Sequence, residues 1–452
     1  MSSMSGWAKR RYIDLDNDIE KRLTDLIPEN MALRGRITID ALLAPVKDVL
    51  NRQRFPDKPL TERQVELMFT LLSSMDTDKD PAAARVGERE GRTIAPLLDR
   101  LSAGFNHGIG RSGHLTAPQP KAAGASLMQQ VANHVALDAI RRLGFENVRA
   151  GIVAPLSTGM SIALILGALR RTLGIKEVLY PRIDHTSPRR AILFAGLQEI
   201  PVSTILEGDA VRANLADLEK RLLKGNGAAV LATTTFFPPR ESDPVKDIAK
   251  LCADSDTPLV INNAYGVQSE TIMHSIRSAI DAGRVDAVVQ SSDKNFLTPV
   301  GGSIIVSPDK DIVDSIAETY AGRATAAPIV QTLAALLLTG HEEYTRLRAE
   351  QTENLTYLKE QLGSVANSLG QRLLDVKNHV ACAMTLDGLD AREIGARLYN
   401  LRVTGPRVVE KGEEGSSVDN YPHNYIVMNA AIGAKREHIE QATVKLHKEA
   451  AR

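Results

Sequence analysis

Short apolar runs alternate with amphipathic stretches between about residues 130 and 310, and this pattern indicates an α/β fold. Runs typical of buried strands lie at residues 152–153, 178–180, 229–232, 259–261, 287–289 and 303–306. Between several of them the apolar positions recur at helical spacing, as in residues 243–253 and 272–282. Strands and helices that alternate in this way predict a sheet whose strands are largely parallel.

The pattern changes on both sides of this region. Residues 1–60 predict an N-terminal helical extension, broken at Pro28, Pro45, Pro56 and Pro59. After residue 326 the spacing predicts two long helices, 328–338 and 342–369, and then a smaller mixed region. We therefore predict a large domain over residues 61–325 and a small C-terminal α+β domain over residues 326–452.

The glycine-rich, polar stretch 410–422 predicts a mobile loop within the small domain.

Composition indicates a globular protein with no strong charge bias. The 452 residues are 43% hydrophobic and 24% charged, and 55 basic residues balance 55 acidic ones. Net charge therefore does not predict a nucleic-acid partner. Basic clusters such as residues 9–11, or Arg402 with Arg407, could still bind one. A solvated charge run is the simpler interpretation of each cluster.

Cysteine content and hydropathy bear on the compartment. The two cysteines, Cys252 and Cys382, lie far apart in the sequence, which argues against both a disulfide framework and a zinc site. The longest apolar stretches are too short to cross a bilayer, and residues 1–12 are polar and basic, unlike a signal peptide. We expect a cytoplasmic protein without a membrane partner or a metal site.

Lys294 is the strongest candidate for chemistry. It lies in the segment 291–302, SSDKNFLTPVGG, directly after the apolar run 285–289. A lysine between a buried strand and a Gly-Gly turn is well placed to hold an aldehyde cofactor as a Schiff base. Most lysines near strand ends are solvated surface residues, so this interpretation depends on the other strand ends.

Those strand ends carry matching groups, and in open α/β sheets ligands bind at the carboxyl ends of the strands. Ser157, Thr158 and Gly159 precede an apolar helix, where hydroxyls and free amides can bind phosphate, although an ordinary N-cap is the alternative. His185 either stacks on a planar ring or is a turn residue. Asn262 can bond a pyridine nitrogen or form an Asn turn. Together these groups predict a pyridoxal-phosphate site.

Other motifs narrow the chemistry further. The hydroxyls of residues 233–235 end another strand, but the sequence assigns them no role. The chain has no G-x-x-x-x-G-K-[ST] phosphate loop and no G-x-G-x-x-G after a strand, which disfavours nucleotide binding. Upstream, the segments 87–92 and 107–113 combine glycines with arginines, and glycine lets amides approach an anion that arginine can grip. These segments, with Arg323, predict a second site on the protein that binds a phosphate carried by the substrate. The alternative is that they are flexible surface loops.

Eight strings resemble the O-phosphoseryl-tRNA(Sec):selenocysteinyl-tRNA synthase family, whose members are fold-type-I pyridoxal-phosphate enzymes. They span residues 75–430 in the family's order: GEREGR, HGIGRSG, QPKAAG, STGMS, INNAYGVQ, SSDKNFLTPVGG, GRATAAP and LRVTGPR. The resemblance implies an aspartate-aminotransferase-like fold and conversion of O-phosphoseryl-tRNA(Sec) to selenocysteinyl-tRNA(Sec). It also implies selenophosphate as selenium donor and a homotetramer built partly by the N-terminal segment.

The resemblance also implies residue roles. Lys294 is similar to the family's Schiff-base lysine and catalytic base. Implied cofactor contacts are Arg89, which is a candidate to reach across a subunit interface, Ser157, Thr158, Gly159 and Asn262. Implied contacts to the substrate phosphate are Arg111, Ser112, Gln119, Lys121 and Arg323. Arg407 is similar to the family's contact to the tRNA acceptor end.

Two further hypotheses concern Asn262 and Glu88. In the fold-type-I enzymes that this chain resembles, most have Asp at the position of Asn262. A neutral Asn there makes the cofactor ring a weaker electron sink. Glu88 is a candidate substrate filter, because a carboxylate near the esterified α-carboxyl would repel free phosphoserine and tolerate the tRNA ester. The alternative is that Glu88 only orients Arg89 through an ion pair.

Two other classes of function remain open on the sequence. One is a pyridoxal-phosphate lyase or transferase acting on a free phospho-amino acid. A cysteine desulfurase is disfavoured, because Cys252 falls in a predicted helix and Cys382 in an apolar run. The other class is a non-catalytic tRNA-binding protein that retains the fold, and the presence of Lys294 with the phosphate-binding residue types argues against it.

Overall fold

The computed structural model describes residues 26–224 and 227–452. The first 25 residues of the predicted extension, including the basic cluster 9–11, lie outside the described residues. Across the described part of the chain, no helix is both long and apolar enough to cross a membrane.

The strands are β1 (Ala150–Ala154), β2 (Glu177–Pro181), β3 (Gln198–Val202), β4 (Thr204–Glu207), β5 (Ala210–Ala213), β6 (Ala228–Thr233), β7 (Leu259–Asn262), β8 (Ala287–Ser291), β9 (Ser303–Ser307), β10 (Ala381–Thr385), β11 (Arg407–Val409) and β12 (Tyr425–Asn429). The helices are α1 (Glu29–Arg52), α2 (Glu62–Ser73), α3 (Pro96–Leu101), α4 (Ala123–Arg142), α5 (Thr158–Leu173), α6 (Thr186–Phe194), α7 (Leu215–Leu222), α8 (Val245–Asp254), α9 (Glu270–Ala282), α10 (Ser292–Asn295), α11 (Lys310–Thr319), α12 (Ala327–Ser368), α13 (Ala391–Asn400) and α14 (Arg436–Ala450).

A seven-stranded sheet in the order β1-β9-β8-β7-β6-β2-β3 forms the centre of the molecule. The pairs β2–β3, β2–β6, β6–β7 and β7–β8 are parallel, whereas β9 runs antiparallel to both of its neighbours. Every residue of β6, β7, β8 and β9 is buried, as expected for strands covered by helices on both faces. The prediction of an α/β fold with a largely parallel sheet is confirmed.

The C-terminal region has a small sheet of its own, β10-β12-β11, in which all pairings are antiparallel. Its apolar core consists of residues from 355 onward, packed between this sheet and the helices α12, α13 and α14. Another apolar cluster joins residues 374–427 of this region to Val211 of β5. The exact boundaries at residues 60 and 325 stay predictions.

Helix α12 bridges the two regions, and the predicted interruption between residues 338 and 342 is present in it. Gly340 has non-helical backbone angles, with φ 63° and ψ 175°. Residues 56–60 occupy the break: the N–H of His341 donates to the Pro56 carbonyl (2.8 Å), and the N–H of Leu60 donates to the Leu337 carbonyl (2.8 Å). A Cβ at Gly340 would lie 2.8 Å from the backbone carbon of Lys58, so glycine permits this close approach.

The predicted helix break at Pro45 is wrong, because Pro45 lies inside α1. A proline in a helix removes one backbone donor and frees the carbonyl four residues earlier. Residue 41 is exposed, so its freed carbonyl can bond water instead. The other three prolines lie outside the helix, as predicted: Pro28 immediately precedes α1, and Pro56 and Pro59 follow it.

Candidate active site

A cleft opens at the carboxyl ends of the parallel strands. It is lined by side chains that follow β1, β2, β6, β7 and β8, namely Ser157, Thr158, Gly159, His185, Ser187, Thr233, Thr235, Phe236, Phe237, Asn262, Tyr265 and Lys294, among others. The structure therefore brings together all six residues that were predicted to line the cofactor site at the strand ends. Their gathering follows from topology, because parallel strands end at the same edge of the sheet.

Lys294 lies in the short helical turn α10, immediately after β8. Its Nζ is 3.2 Å from the Ser291 hydroxyl and 3.4 Å from a carboxylate oxygen of Asp293. The amine also lies 5.5 Å from the ring centre of Tyr265. Asn295 fixes the position of this turn, because its side-chain amide donates to the carbonyls of Ala264 and Ser291 (both 2.8 Å). The turn thus holds the amine half-buried, facing the cleft.

The start of α5 offers free hydrogen-bonding groups. Ser157 is the N-cap residue but makes no side-chain capping bond, and the buried hydroxyl of Thr158 has no hydrogen-bond partner. A Cβ at Gly159 would lie 2.2 Å from the Ser187 hydroxyl, so glycine keeps this part of the cleft open. Unused hydroxyls and amides at a helix N-terminus favour an anion such as a phosphate over the ordinary N-cap interpretation.

Two more cleft residues carry buried polar atoms without partners. Asn262 ends β7, and its Oδ1 has no hydrogen-bond partner; the same holds for the Thr235 hydroxyl. Buried polar groups in native proteins are nearly always satisfied, so unpaired atoms that line one cleft point to a ligand with complementary groups. Asn262 is therefore available to bond a ring nitrogen.

His185 lies in a turn, as one of its two predicted interpretations requires, while its stacking on a planar ring stays a prediction. It is the N-cap residue of α6, where its Nδ1 accepts a hydrogen bond from the Ser187 N–H (3.2 Å), and its ring also lines the cleft. Burial, followed by the charges of Arg407 and Lys294, lowers the pKa of His185. A neutral imidazole at pH 7 suits stacking on a planar ligand.

A second group of cations lies around His107. The Arg323 guanidinium donates to the His107 carbonyl, while its buried Nε has no partner. Burial first, and then the charge of Arg89, lowers the pKa of Arg323. Lys121 reaches the same region and forms an ion pair with Glu90. Two neighbouring guanidiniums with an unsatisfied donor suit an anionic ligand. We call Arg89, Lys121 and Arg323 the cationic cluster.

The remaining upstream candidates lie on the surface of the single chain. Arg111 and Ser112 are exposed, and the Gln119 backbone N–H donates to the Ser126 hydroxyl (2.9 Å). Glu88 is exposed and lies 3.5 Å from the Arg89 guanidinium, which matches the ion-pair alternative for this residue. Within one chain, these residues and the cationic cluster are not among those that line the cleft around Lys294.

Arg407 lies at the outer part of the cleft. Its guanidinium lies 5.9 Å and 5.5 Å from the ring centres of Phe236 and Phe237. It lines a second hollow that shares Ser157, Gly159, His185, Ser187 and Phe237 with the first. A residue of the C-terminal region therefore borders the site at the strand ends of the central sheet.

The sequence interpretation missed several lining residues. Thr235 had no assigned role, and Phe236, Phe237 and Tyr265 were not singled out. The signal available was position, since Tyr265 follows Asn262 by three residues and the phenylalanines follow the threonines that end β6. Aromatic side chains are common in cores, so their types alone did not identify them.

The structure argues against a catalytic thiol. Both Cys252 and Cys382 are buried, and burial raises the pKa of each to about 12. A nucleophilic cysteine needs an accessible thiolate. The desulfurase alternative is therefore not supported.

The cleft fits the predicted cofactor in its residue chemistry. It offers an amine for an aldehyde (Lys294), free donors for a phosphate (Thr158 and the α5 amides), a buried amide for a ring nitrogen (Asn262) and a flat aromatic neighbour (His185). Each part would suit a different group of pyridoxal phosphate.

Comparison with known proteins gives a consistent result. The family model for O-phosphoseryl-tRNA(Sec) selenium transferase matches residues 75–451. The chain is 43% identical to the O-phosphoseryl-tRNA(Sec) selenium transferase of Methanococcus maripaludis, over 96% of this chain and 99% of that protein.

Solved structures agree with the sequence comparison. A crystal structure of an archaeal O-phosphoseryl-tRNA(Sec) selenium transferase superimposes with a TM-score of 0.91 at 43% identity, covering 94% of this chain and 98% of the other. A tryptophan decarboxylase of Catharanthus roseus shares the fold alone, with a TM-score of 0.59 at 11% identity over 94% of this chain and 99% of the other. The fold-type-I prediction is confirmed.

Proposed function

This chain belongs to the O-phosphoseryl-tRNA(Sec) selenium transferase family, and we propose that it carries out the family's reaction with pyridoxal phosphate bound at Lys294. The reaction converts O-phosphoseryl-tRNA(Sec) to selenocysteinyl-tRNA(Sec). The observation that carries the proposal is that one cleft contains the Lys294 amine, the unpartnered Oδ1 of Asn262 and the unpartnered hydroxyl of Thr158.

Lys294 has two tasks in this proposal. Bound pyridoxal phosphate withdraws electrons from an attached amino acid and so acidifies its Cα–H bond. Lys294 would hold the cofactor through its Nζ, and the same amine, once free, would take the Cα proton of the phosphoseryl group. Asp293, with an oxygen 3.4 Å from Nζ, stabilises the ammonium that results.

We propose that the cationic cluster binds phosphate, with Lys121 and Arg323 on the phosphate of the substrate and Arg89 on that of the cofactor. Arg323 and Arg89 repel each other in the protein alone, and a phosphate between them would relieve this repulsion and satisfy the buried Nε of Arg323. Charge held in this way makes phosphate a better leaving group. Arg111, Ser112 and Gln119 belong to the same proposed phosphate grip.

Because the cationic cluster does not line the cleft of its own chain, we propose that a second copy of the chain brings the two together. Helix α1 supports an assembly of this kind: Met31, Leu33, Ile37 and Ile39 are exposed, whereas Val46 and Val49 are buried. Exposed apolar side chains distributed around the first half of a helix favour contact with another chain. We propose a homotetramer in which Arg89 of one copy contacts the cofactor phosphate of another.

We propose that Arg407 contacts the acceptor end of the tRNA. The ester-linked amino acid has to reach Lys294, so the last nucleotides must lie at the mouth of the cleft, where Arg407 is located. The guanidinium there offers a charge for backbone phosphate. Selenophosphate as the selenium donor and a cytoplasmic location complete the proposal.

Glu88 remains a candidate filter against free phosphoserine. Its carboxylate is exposed beside Arg89, so it would approach the substrate only if Arg89 does. We expect Glu88→Gln to gain turnover on free phosphoserine while keeping turnover on charged tRNA. If the variant gains none, Glu88 serves only to orient Arg89.

The decisive experiment compares wild type, Lys294→Ala and Lys310→Ala. Lys310 is a matched control, because it is an exposed lysine paired with Asp314 on α11. We expect wild type and Lys310→Ala to keep a visible absorbance band after pyridoxal phosphate is added and the unbound cofactor is removed, and to release phosphate from O-phosphoseryl-tRNA(Sec). Lys294→Ala should lose both. Equal release from free phosphoserine would favour the amino-acid lyase alternative, and a wild type without the band would refute the proposed cofactor.

A further inference from the structure

The loop of residues 410–422 is anchored to the large domain next to the cleft. The sequence predicted a mobile loop, but Ser416 and Ser417 within it are fully buried. The Thr204 hydroxyl donates to the Ser417 carbonyl (2.6 Å), and Ser417 has a positive φ of 67°. A non-glycine residue holds such a conformation only where its surroundings fix it. We call residues 410–422 the anchored loop.

Asp184 is the centre of this attachment. One of its carboxylate oxygens accepts the backbone N–H groups of Gly415 and Ser417, both at 2.8 Å. Its own backbone N–H donates to the Ser417 hydroxyl (3.0 Å). The other carboxylate oxygen accepts from Nε of Arg182 (2.9 Å). Although burial alone would raise it, these hydrogen bonds hold the pKa of Asp184 below its usual range, so the anchor is ionised at neutral pH.

The anchored loop in turn contacts Arg407. The Gly415 carbonyl accepts from a terminal nitrogen of Arg407 at 3.5 Å. A Cβ on Gly415 would lie 2.8 Å from the same guanidinium, so the loop backbone borders Arg407 closely. The chain of contacts therefore runs from Asp184 to Gly415 to Arg407, whose guanidinium lies near the rings of Phe236 and Phe237.

We propose that Asp184 is a positioning residue that sets the affinity for charged tRNA by fixing Arg407 at the mouth of the cleft. This inference rests on the proposed function of Arg407. Asp184 touches neither Lys294 nor Asn262 by any described hydrogen bond, and it precedes His185 in the turn after β2. The chemistry at Lys294 should therefore continue when the anchor is weakened, while the grip on the acceptor end is lost.

Asp184→Asn tests this with little change of shape. The Asn amide has one acceptor oxygen, so that oxygen can bond either Arg182 or the N–H groups of the anchored loop. Its NH₂ group then faces hydrogen-bond donors on the side that the oxygen does not serve. Asp419→Asn is the matched control. Asp419 lies on the same loop and pairs with the same Arg182 (2.7 Å), but it is exposed, and exposed ion pairs contribute little.

We expect Asp184→Asn to raise KM for O-phosphoseryl-tRNA(Sec), and Kd for the uncharged tRNA(Sec) transcript, about tenfold, as for the loss of a charge-assisted hydrogen bond. The value of kcat and the visible absorbance of the bound cofactor should change less than twofold. Asp419→Asn should change all four quantities less than twofold. Trypsin should also cleave after the exposed Lys411 faster in Asp184→Asn than in wild type.

A double-mutant cycle with Arg407→Ala isolates the coupling. If Asp184 acts through Arg407, adding Asp184→Asn to Arg407→Ala raises KM no further. Additive effects would overturn the proposal, as would a fall in kcat as large as the rise in KM. Should Asp184→Asn fail to fold, Gly415→Ala replaces it in the cycle, because its Cβ would displace the same guanidinium. Turnover of charged tRNA by wild type, measured first, tests the proposed function separately.

Discussion

Asn262→Asp is a sharp test of the cofactor site, because the change replaces one atom at a buried position. The Oδ1 of Asn262 has no partner in the protein, so a carboxylate there would have none either. Burial raises a carboxyl pKa by up to about 3–5 units. A rise of about two units costs about 3 kcal/mol at pH values above the raised pKa, at about 1.4 kcal/mol per unit.

Bound cofactor should reverse this loss. A protonated ring nitrogen about 3 Å from the new carboxylate would attract it by about 5 kcal/mol at an effective dielectric constant of about 20. We therefore expect the variant without cofactor to melt about 6 °C or more below wild type at pH 8, taking about 2 °C per kcal/mol for a large domain. With pyridoxal phosphate added, the two melting temperatures should converge.

The assay is thermal unfolding of both proteins at pH 5 and pH 8, with and without the cofactor. The sign of the pH effect follows from linkage: a carboxyl with a raised folded-state pKa destabilises the fold as pH rises, so the deficit should be smaller at pH 5. If the deficit at pH 8 is the same with and without cofactor, Asn262 does not face the ring nitrogen. Loss of phosphate release from charged tRNA in the variant would support tuning of the electron sink by Asn262.

Three further predictions concern stability. Burial raises the pKa of Asp76 to about 6 while its Oδ2 has no partner, so Asp76→Asn should gain stability relative to wild type at pH 7.5 but not at pH 4. Arg240 and Asp243 form an ion pair with side chains only 1% and 0% exposed, so Asp243→Ala should lower the free energy of unfolding by about 3–5 kcal/mol in denaturant titrations. Gly340→Ala should lower it by more than about 1 kcal/mol, because the position combines a positive φ with backbone at 2.8 Å.

Two of these predictions have a control variant, and each has a contradicting result. Asp314→Ala removes an exposed ion pair and should cost under about 1 kcal/mol; an equal loss in Asp243→Ala would mean that burial is not the cause. Gly388 also has a positive φ, 76°, but a Cβ there would meet open space, so Gly388→Ala should lower the free energy of unfolding less than Gly340→Ala. Equal losses would mean that crowding at residue 340 costs nothing. An unchanged pH dependence in Asp76→Asn would show that Asp76 does not titrate near pH 6.

The cleft was predictable because its parts follow buried strands. The apolar runs before Ser157, Asn262 and Lys294 identified the strand ends, and parallel topology then places those ends at one edge. The strand β3 and the hairpin of β4 and β5 were not predicted, since several of their residues are exposed and give no continuous apolar run. Periodicity reports burial, and it is weak where a strand is only half covered.

The cationic cluster shows what sequence reasoning could not supply. The motifs predicted a phosphate grip, but the charge of Arg89 acts on Arg323 from more than 200 positions away in the sequence. Contacts at such separation depend on how whole elements pack, which no local pattern encodes. The role of Asp184 was missed for the same reason, because its partners Gly415 and Ser417 lie in another domain of the predicted organisation.

The insertion of residues 56–60 at Gly340 has a practical consequence for shortening the chain. A protein beginning at residue 61 would strip hydrogen-bond partners from Leu337 and His341, and it would expose the bend where the bridging helix changes direction. Deleting the extension to make a smaller enzyme should therefore loosen the joint between the two halves of the molecule. The longest truncation that spares this joint keeps everything from residue 55 onward, because the Phe55 ring also packs against His341.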